Sequence, residues 1–356
     1  MTDRKYFLDN LRWLNVLLLF PCHSSFFILV FRQYFEGDFG GRLSALYEVT
    51  DPWIMPVMFV IAGISTVYAL QKRSINAFIK ERAMKLFVPL IAGILTLVPV
   101  LTYVIRRILY RYDGTFFNHY AIFFTEFSGD TQGFREGFAL AHLWFLLVLF
   151  VFSLAVIPII RLTKNNKIGF EKLPMPVILL LFLLPALGSF IPDVFVGIHL
   201  GAYFIWFLLG YFILSKDKIQ AKLERWRFLL LGCALAGVML ILMERNGIVN
   251  TPQPQMVWDV YKILYGWVML LALLGMAKRY FNINNKVTVY LSKSSFGVYL
   301  FHVSWNFPVA FFAYRLTDNP ALRMAVILPV TAILTFLTYE LCRRIPVTRW
   351  MFGLKK

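Results

Sequence analysis

Arg12 and His23 are ionisable residues at the two ends of an apolar run near the N-terminus, RWLNVLLLFPCH. On an α-helix, residues eleven positions apart differ by three turns plus about 20°, so the two side chains face the same way. His23 would lie about 16 Å further along the helix axis than Arg12. A histidine deep in an apolar segment is costly unless it faces a partner or a cavity, and a neutral imidazole can accept a proton. The pair therefore predicts a proton-transfer site, with a hydrogen bond between helices as the structural alternative.

Four further residues, His142, Trp144, Tyr299 and His302, are candidates for lining this site or binding its substrate. His142 and Trp144 lie at the start of another apolar run, where an aromatic ring could stack on a sugar or anchor the protein at the membrane interface. Tyr299 and His302, three positions apart, could hydrogen-bond within the site or serve as a structural bond between helices. The three cysteines have no metal-ligand spacing, so we expect neither a metal site nor a disulfide framework.

The composition indicates which elements position these residues. Of the 356 residues, 59% are hydrophobic and only 15% are charged, which is too apolar for a soluble globular protein. Apolar runs of about twenty residues, long enough to cross a bilayer, recur along the whole chain. We therefore predict an all-α, polytopic integral membrane helix bundle, as a single domain over 1–356 with no appended soluble domain. Its ten predicted spans are 11–31, 52–71, 86–105, 142–161, 176–194, 198–214, 228–244, 257–277, 294–313 and 322–341.

The distribution of basic residues predicts the orientation of the chain. Most of the 36 lysines and arginines fall in the two termini and in the loops that alternate with them on one face. Lysine and arginine are enriched on the cytoplasmic side of membrane proteins, so both termini are predicted to be cytoplasmic. The net charge of +17 is then mainly a topology signal that also favours anionic lipid headgroups. We expect a multi-pass protein of the inner (plasma) membrane that does not bind nucleic acid.

Six short motifs along the chain, in this order, resemble those of the acyltransferase-3 family of membrane O-acyltransferases. They are LDNLRWLNVLLLFPCH (8–23), FVIAGIS (59–65), ERAMKLFVP (81–89), HLWFLLVLF (142–150), SSFGVYLFHVSW (294–305) and YELCRRIP (339–346). Each motif is short and apolar, but six in the right order make a specific match. The layout is most similar to the branch that adds succinyl groups to periplasmic glucans.

This resemblance implies transfer of an acetyl or succinyl group from cytoplasmic acyl-CoA to a hydroxyl of an extracytoplasmic glycan or other hydroxylated acceptor. It implies that His23 is the catalytic histidine, with Arg12 as its companion. Asp9, three residues before Arg12, belongs to the same cytoplasmic patch by its spacing and is a candidate for binding the acyl donor. Arg82 would help to hold the donor. Lys85 stands where many members carry arginine; it keeps the charge but loses the two-pronged hydrogen bonding. Acyl-CoA is a substrate here, so we expect no permanently bound cofactor.

Several alternatives are open at this point. His23 could act as a general base or could form an acyl-histidine intermediate. The protein could act as a homo-oligomer or with a separate transferase partner. A transporter or flippase for a small polar or lipid-linked molecule would have the same span architecture, and a receptor or scaffold without activity is the third class. The sequence has no inverted repeat and no acidic coupling pair in mid-membrane, which disfavours a transporter. The intact Arg12–His23 pair disfavours an inactive relative, and the family resemblance favours the acyltransferase.

Overall fold

The structure is a computed structural model, and it describes residues 5–38, 44–127, 130, 132–163, 169–191, 198–250 and 254–355. The described part of the chain is helical and contains no β-strand. We number its helices α1 (Tyr6–Glu36), α2 (Ala45–Lys72), α3 (Ile75–Leu109), α4 (Phe116–Thr125), α5 (Ala141–Thr163), α6 (Met175–Gly188), α7 (Leu200–Leu214), α8 (Asp217–Arg245), α9 (Gln255–Tyr280), α10 (Lys286–Leu316), α11 (Pro320–Arg344) and α12 (Pro346–Met351).

Eight helices among the described residues are long and apolar enough to cross a membrane: α1, α2, α3, α5 and α8 to α11. Each coincides with one of the predicted spans, so the prediction of an all-α polytopic membrane bundle is confirmed. The two other predicted spans, 176–194 and 198–214, coincide with α6 and α7, which are apolar but shorter. The end of the first of them, beyond residue 191, lies outside the described residues.

Local sequence signals set several helix starts. At α4, the Thr115 side chain accepts a hydrogen bond of 3.2 Å from the backbone N–H of Asn118. At α11, the Asn319 side chain accepts bonds from the N–H groups of Ala321 and Leu322. These side chains satisfy amide groups that the first turn of a helix leaves without partners.

Contacts divide the chain into two compact units. The first unit comprises the described residues within 1–15, 48–79 and 151–292, and the second those within 16–47, 80–150 and 293–356. The prediction of a single domain is not tested by this division and stays a prediction.

In the first unit, α2 and α7 approach each other at two glycines. A side chain at Gly63 would collide with the backbone of Phe207, and one at Gly210 would collide with the backbone of Val60. Helices in membranes pack closely where small residues let their backbones meet. The glycine of the FVIAGIS motif is therefore explained by the close packing of these two helices.

In the second unit, aromatic rings join α1 to α10. The ring of Phe307 lies 5.1 Å from Phe27 and 5.2 Å from Phe31, measured between centroids, and all three side chains are buried. Such separations are typical of edge-to-face and tilted aromatic pairs. This packing fixes the face of α1 that carries His23 against the face of α10 that carries His302.

Candidate active site

The second unit brings together three histidines from three helices: His23 on α1, His142 at the start of α5 and His302 on α10. The ring centroid of His302 lies 5.1 Å from that of His23 and 5.7 Å from that of His142. His302 is fully buried and His142 is 9% exposed, whereas His23 is partly exposed. We call these three residues the histidine cluster. Each of them is a site residue predicted from the sequence.

Backbone carbonyls fix the orientation of two rings in the cluster. Nδ1 of His302 lies 2.8 Å from the carbonyl oxygen of Tyr299, and Nε2 of His142 lies 2.9 Å from that of Leu300. A carbonyl can only accept a hydrogen bond, so these two nitrogens carry hydrogen. The opposite nitrogens, Nε2 of His302 and Nδ1 of His142, are buried and have no hydrogen-bond partner in the described part of the chain. In the neutral rings, both therefore present lone pairs that can accept a hydrogen bond.

Tyr299 connects two of the cluster's helices. Its hydroxyl donates a hydrogen bond to the backbone carbonyl of His142, and its ring lies 6.0 Å from the His142 ring. His302 bonds to the backbone carbonyl of Tyr299, whereas the Tyr299 hydroxyl bonds to the backbone of α5, so the roles of these two residues in the site stay predictions. Trp144, the other predicted site-lining residue, is partly exposed two positions after His142, with its ring 6.3 Å from that of Phe145.

The backbone next to His142 is in an unusual conformation. Ala141 has a φ of +47°, which is rare for a residue with a side chain, and it is buried. Residues held in sparsely populated backbone regions occur at functional sites when the surrounding structure enforces them. Here the strained residue directly precedes a member of the histidine cluster.

Sequence reasoning missed two residues beside the cluster, Asn306 and Ser24. The side-chain amide of Asn306 donates hydrogen bonds to Ser24 Oγ at 3.0 Å and to the Phe20 carbonyl at 3.1 Å. Asn306 and Ser24 are both fully buried, and they connect α10 to α1 next to His23. The signal available in the sequence was a lone asparagine in an apolar helix, four positions after His302.

Arg12 and Asp9 belong to the first unit. Arg12 Nη1 lies 3.2 Å from Asp9 Oδ1, and Arg12 Nη2 donates a hydrogen bond of 3.1 Å to Ser65 Oγ. The side chain of Arg12 remains about one-third exposed, at 33%. Sequence reasoning identified the pair but not Ser65, although it closes the FVIAGIS motif. The roles of Arg12 and Asp9 stay predictions.

Arg82 and Lys85 belong to the second unit, on α3. The Lys85 amine forms an ion pair of 2.5 Å with Glu81, one turn earlier, and its side chain is half-exposed. Arg82 is partly buried. The predicted role of both residues in holding the donor stays a prediction. In the described part of the chain, no group of three or more His, Cys, Asp and Glu side chains is arranged to hold a metal ion.

The fold and the histidine cluster can now be compared with known proteins. The chain belongs to the acyltransferase-3 family, because its residues 5–340 match the family described as an Acyltransferase domain. Glucans biosynthesis protein C from Salmonella schwarzengrund (strain CVM19633) is 23% identical over 373 aligned residues, which cover 98% of this chain and 94% of that protein. No solved structure matches the chain significantly.

These matches confirm the predicted family, and the glucan biosynthesis relative agrees with the predicted branch. The protein is a multi-pass membrane acyltransferase. The family thus favours an enzyme over the transporter and scaffold alternatives.

Proposed function

We propose that this enzyme transfers an acetyl or succinyl group from cytoplasmic acyl-CoA to a hydroxyl of an extracytoplasmic glycan, in the inner (plasma) membrane. The observation that carries the proposal is the histidine cluster, in which His23 alone is partly exposed while its two neighbours are buried. An accessible imidazole beside buried ones is placed to take a proton from an incoming hydroxyl. The glycan acceptor is supported by the name of the glucan biosynthesis relative.

The proposed reaction needs one proton to move twice. His23 removes the proton of the acceptor hydroxyl while its oxygen attacks the thioester carbonyl. The tetrahedral intermediate then collapses, the carbon–sulfur bond breaks, and the proton passes from His23 to the leaving sulfur. The products are the glycan ester and coenzyme A. An acyl-histidine intermediate is the alternative route.

The donor would be held by cationic side chains. Coenzyme A carries several phosphate charges, and guanidinium groups bind phosphate through charge-assisted hydrogen bonds. Arg12 fits this role because Asp9 and Ser65 hold its guanidinium while a third of the side chain stays exposed. We assign Arg82 and Lys85 to the same task as a second donor-binding pair.

The test incubates the purified protein with radiolabelled acetyl-CoA or succinyl-CoA, with and without cell-envelope glycans. We expect the wild type to label the glycan and His23→Ala to lose at least about 100-fold in rate. His199→Ala, which removes an exposed histidine outside the cluster, is the matched control and should behave as the wild type. Equal labelling by wild type and His23→Ala would remove His23 from the mechanism. Label retained on the protein without glycan would establish the acyl-histidine route.

A further inference from the structure

We propose that His302 is a positioning residue, whose Nε2 accepts a hydrogen bond from His23 while His23 carries the proton of the acceptor hydroxyl. The inference rests on the proposed function, because it assigns a partner to the catalytic base. His302 exchanges no proton itself. The proton still moves from the hydroxyl to His23 and then to the leaving sulfur.

The first support is the tautomer that the backbone imposes on His302. The Tyr299 carbonyl holds the hydrogen on Nδ1, at 2.8 Å, so Nε2 of the neutral ring has a free lone pair. The His302 side chain is fully buried, and Nε2 has no hydrogen-bond partner among the described residues. A buried acceptor left without a donor destabilises the folded protein. Such an atom can accept a hydrogen bond from a donor that turns towards it, and the bond strengthens when that donor becomes charged.

The second support is the distance to His23. Ring centroids 5.1 Å apart allow one nitrogen of each ring to reach hydrogen-bond distance through small side-chain rotations. The ring planes are inclined at 46°, so an N–H of one ring can point towards the edge of the other rather than stack on it. In neutral His23 the nitrogen that acts as the base carries no hydrogen, so the other nitrogen already carries one. When the base nitrogen takes the hydroxyl proton, the ring becomes a cation and this N–H becomes a stronger donor. A small rotation that turns it towards Nε2 supplies the donor that His302 lacks.

The third support is the chemistry around the rings. The hydrogen bonds that orient the rings of His302 and His142 go to backbone carbonyls, and the ring of His23 beside that of His302 is another imidazole rather than a carboxylate. A cation formed in such a site needs an oriented acceptor, because burial disfavours the charged form of imidazole. In other enzymes a carboxylate orients the catalytic histidine. Here the series of hydrogen-bonded groups would run from the Tyr299 backbone carbonyl through His302 to His23.

The test compares two variants at one position. In His302→Asn, the side-chain amide N–H lies near the position of Nδ1–H and can keep the hydrogen bond to the Tyr299 carbonyl. No atom lies near the position of Nε2 to accept a hydrogen bond from His23. In His302→Gln, the longer side chain can place its oxygen near the position of Nε2. We expect His302→Asn to lower kcat about 10- to 100-fold with an unchanged KM for acyl-CoA. We expect His302→Gln to recover most of that loss, and the solvent deuterium isotope effect on kcat to rise only in the asparagine variant.

Several results would overturn the inference. One is a kcat of His302→Asn equal to that of the wild type. Another is an equal loss of kcat in His302→Asn and His302→Gln when the melting temperatures of both match that of the wild type. If neither variant folds, ¹⁵N-histidine NMR of the wild type decides, since hydrogen on Nε2 of His302 would contradict the proposal and hydrogen on Nδ1 supports it. The proposed function is tested separately in the same series, because only its failure would leave His23→Ala as active as the wild type.

Discussion

The side chains of the two predicted catalytic residues, Arg12 and His23, have different surroundings. Arg12 is held by a carboxylate from its own helix and by a hydroxyl from α2, at 3.2 and 3.1 Å. His23 has imidazole neighbours whose rings are oriented by backbone carbonyls. Under the proposed function, the fixed guanidinium of Arg12 would bind the donor and the partly exposed His23 would transfer the proton.

Ser65 should matter for binding of the donor. Ser65→Ala removes the hydrogen bond to Arg12 Nη2, so the guanidinium loses part of its orientation. We expect KM for acyl-CoA to rise about fivefold, equivalent to about 1 kcal/mol, with kcat unchanged. Steady-state kinetics of the purified enzyme measures both constants. Thr163→Ala is the matched control, since the Thr163 hydroxyl bonds to a carbonyl of its own helix, and it should leave both constants unchanged. A Ser65→Ala enzyme with wild-type KM would contradict this role.

At the scale of elements, glycine decides how closely two helices pack. Gly63 on α2 and Gly210 on α7 each lie against the backbone of the other helix. A larger residue would force the helices apart, because packed interiors do not absorb extra atoms without strain. The FVIAGIS motif thus requires a residue without a side chain at Gly63, in addition to being apolar.

This requirement can be tested with a matched pair of glycines. Gly63→Leu should lower the stability of the protein by at least about 1–3 kcal/mol, because the leucine has no space against Phe207. Gly232→Leu on α8 should not lower it, since Gly232 is exposed and a Cβ there meets no atom within 4 Å. The apparent melting temperature in detergent micelles reports both changes. A Gly63→Leu protein with the same apparent melting temperature as the wild type would show that α2 and α7 do not pack closely.

At the scale of the whole molecule, the distribution of basic residues predicts the orientation in the membrane. Eight helices among the described residues are long enough to cross a bilayer, and two shorter apolar helices lie at the other predicted spans. Eight or ten crossings both place the two termini on the same side. The excess of lysine and arginine at the termini and in the loops alternating with them predicts that this side is the cytoplasm.

Reporter fusions test the orientation. A green fluorescent protein fused after residue 356 should fluoresce, because it would stay in the cytoplasm where it folds. Alkaline phosphatase inserted at Gly114, between α3 and α4, should be active, because this loop is predicted to lie outside. The reversed pattern, with a dark fluorescent fusion and an inactive phosphatase at Gly114, would contradict the predicted orientation. Both fusions are compared at equal expression, measured by immunoblotting.

The sequence by itself determined the fold class, the family and the candidate residues. Spans are readable because their hydrophobic length is a local property of the chain. The motif around Arg12 and His23 was readable because both residues lie on one helix with known geometry. The same local reasoning could not identify Asn306, Ser24 or Ser65, whose partners lie far away in the chain.

Only the tertiary structure decided which predicted residues meet and how their rings are oriented. His142 could have been an interface anchor, and His302 a structural bond between helices. Packing places the ring of His302 5.1 Å from that of His23 and 5.7 Å from that of His142. The hydrogen position on His142 follows from the Leu300 carbonyl, which becomes its partner only when α5 and α10 have packed, whereas that on His302 follows from the Tyr299 carbonyl of its own helix. Helix rotation and side-chain rotamers set these contacts, and apolar sequences constrain neither, because many rotations of an apolar helix bury similar surface.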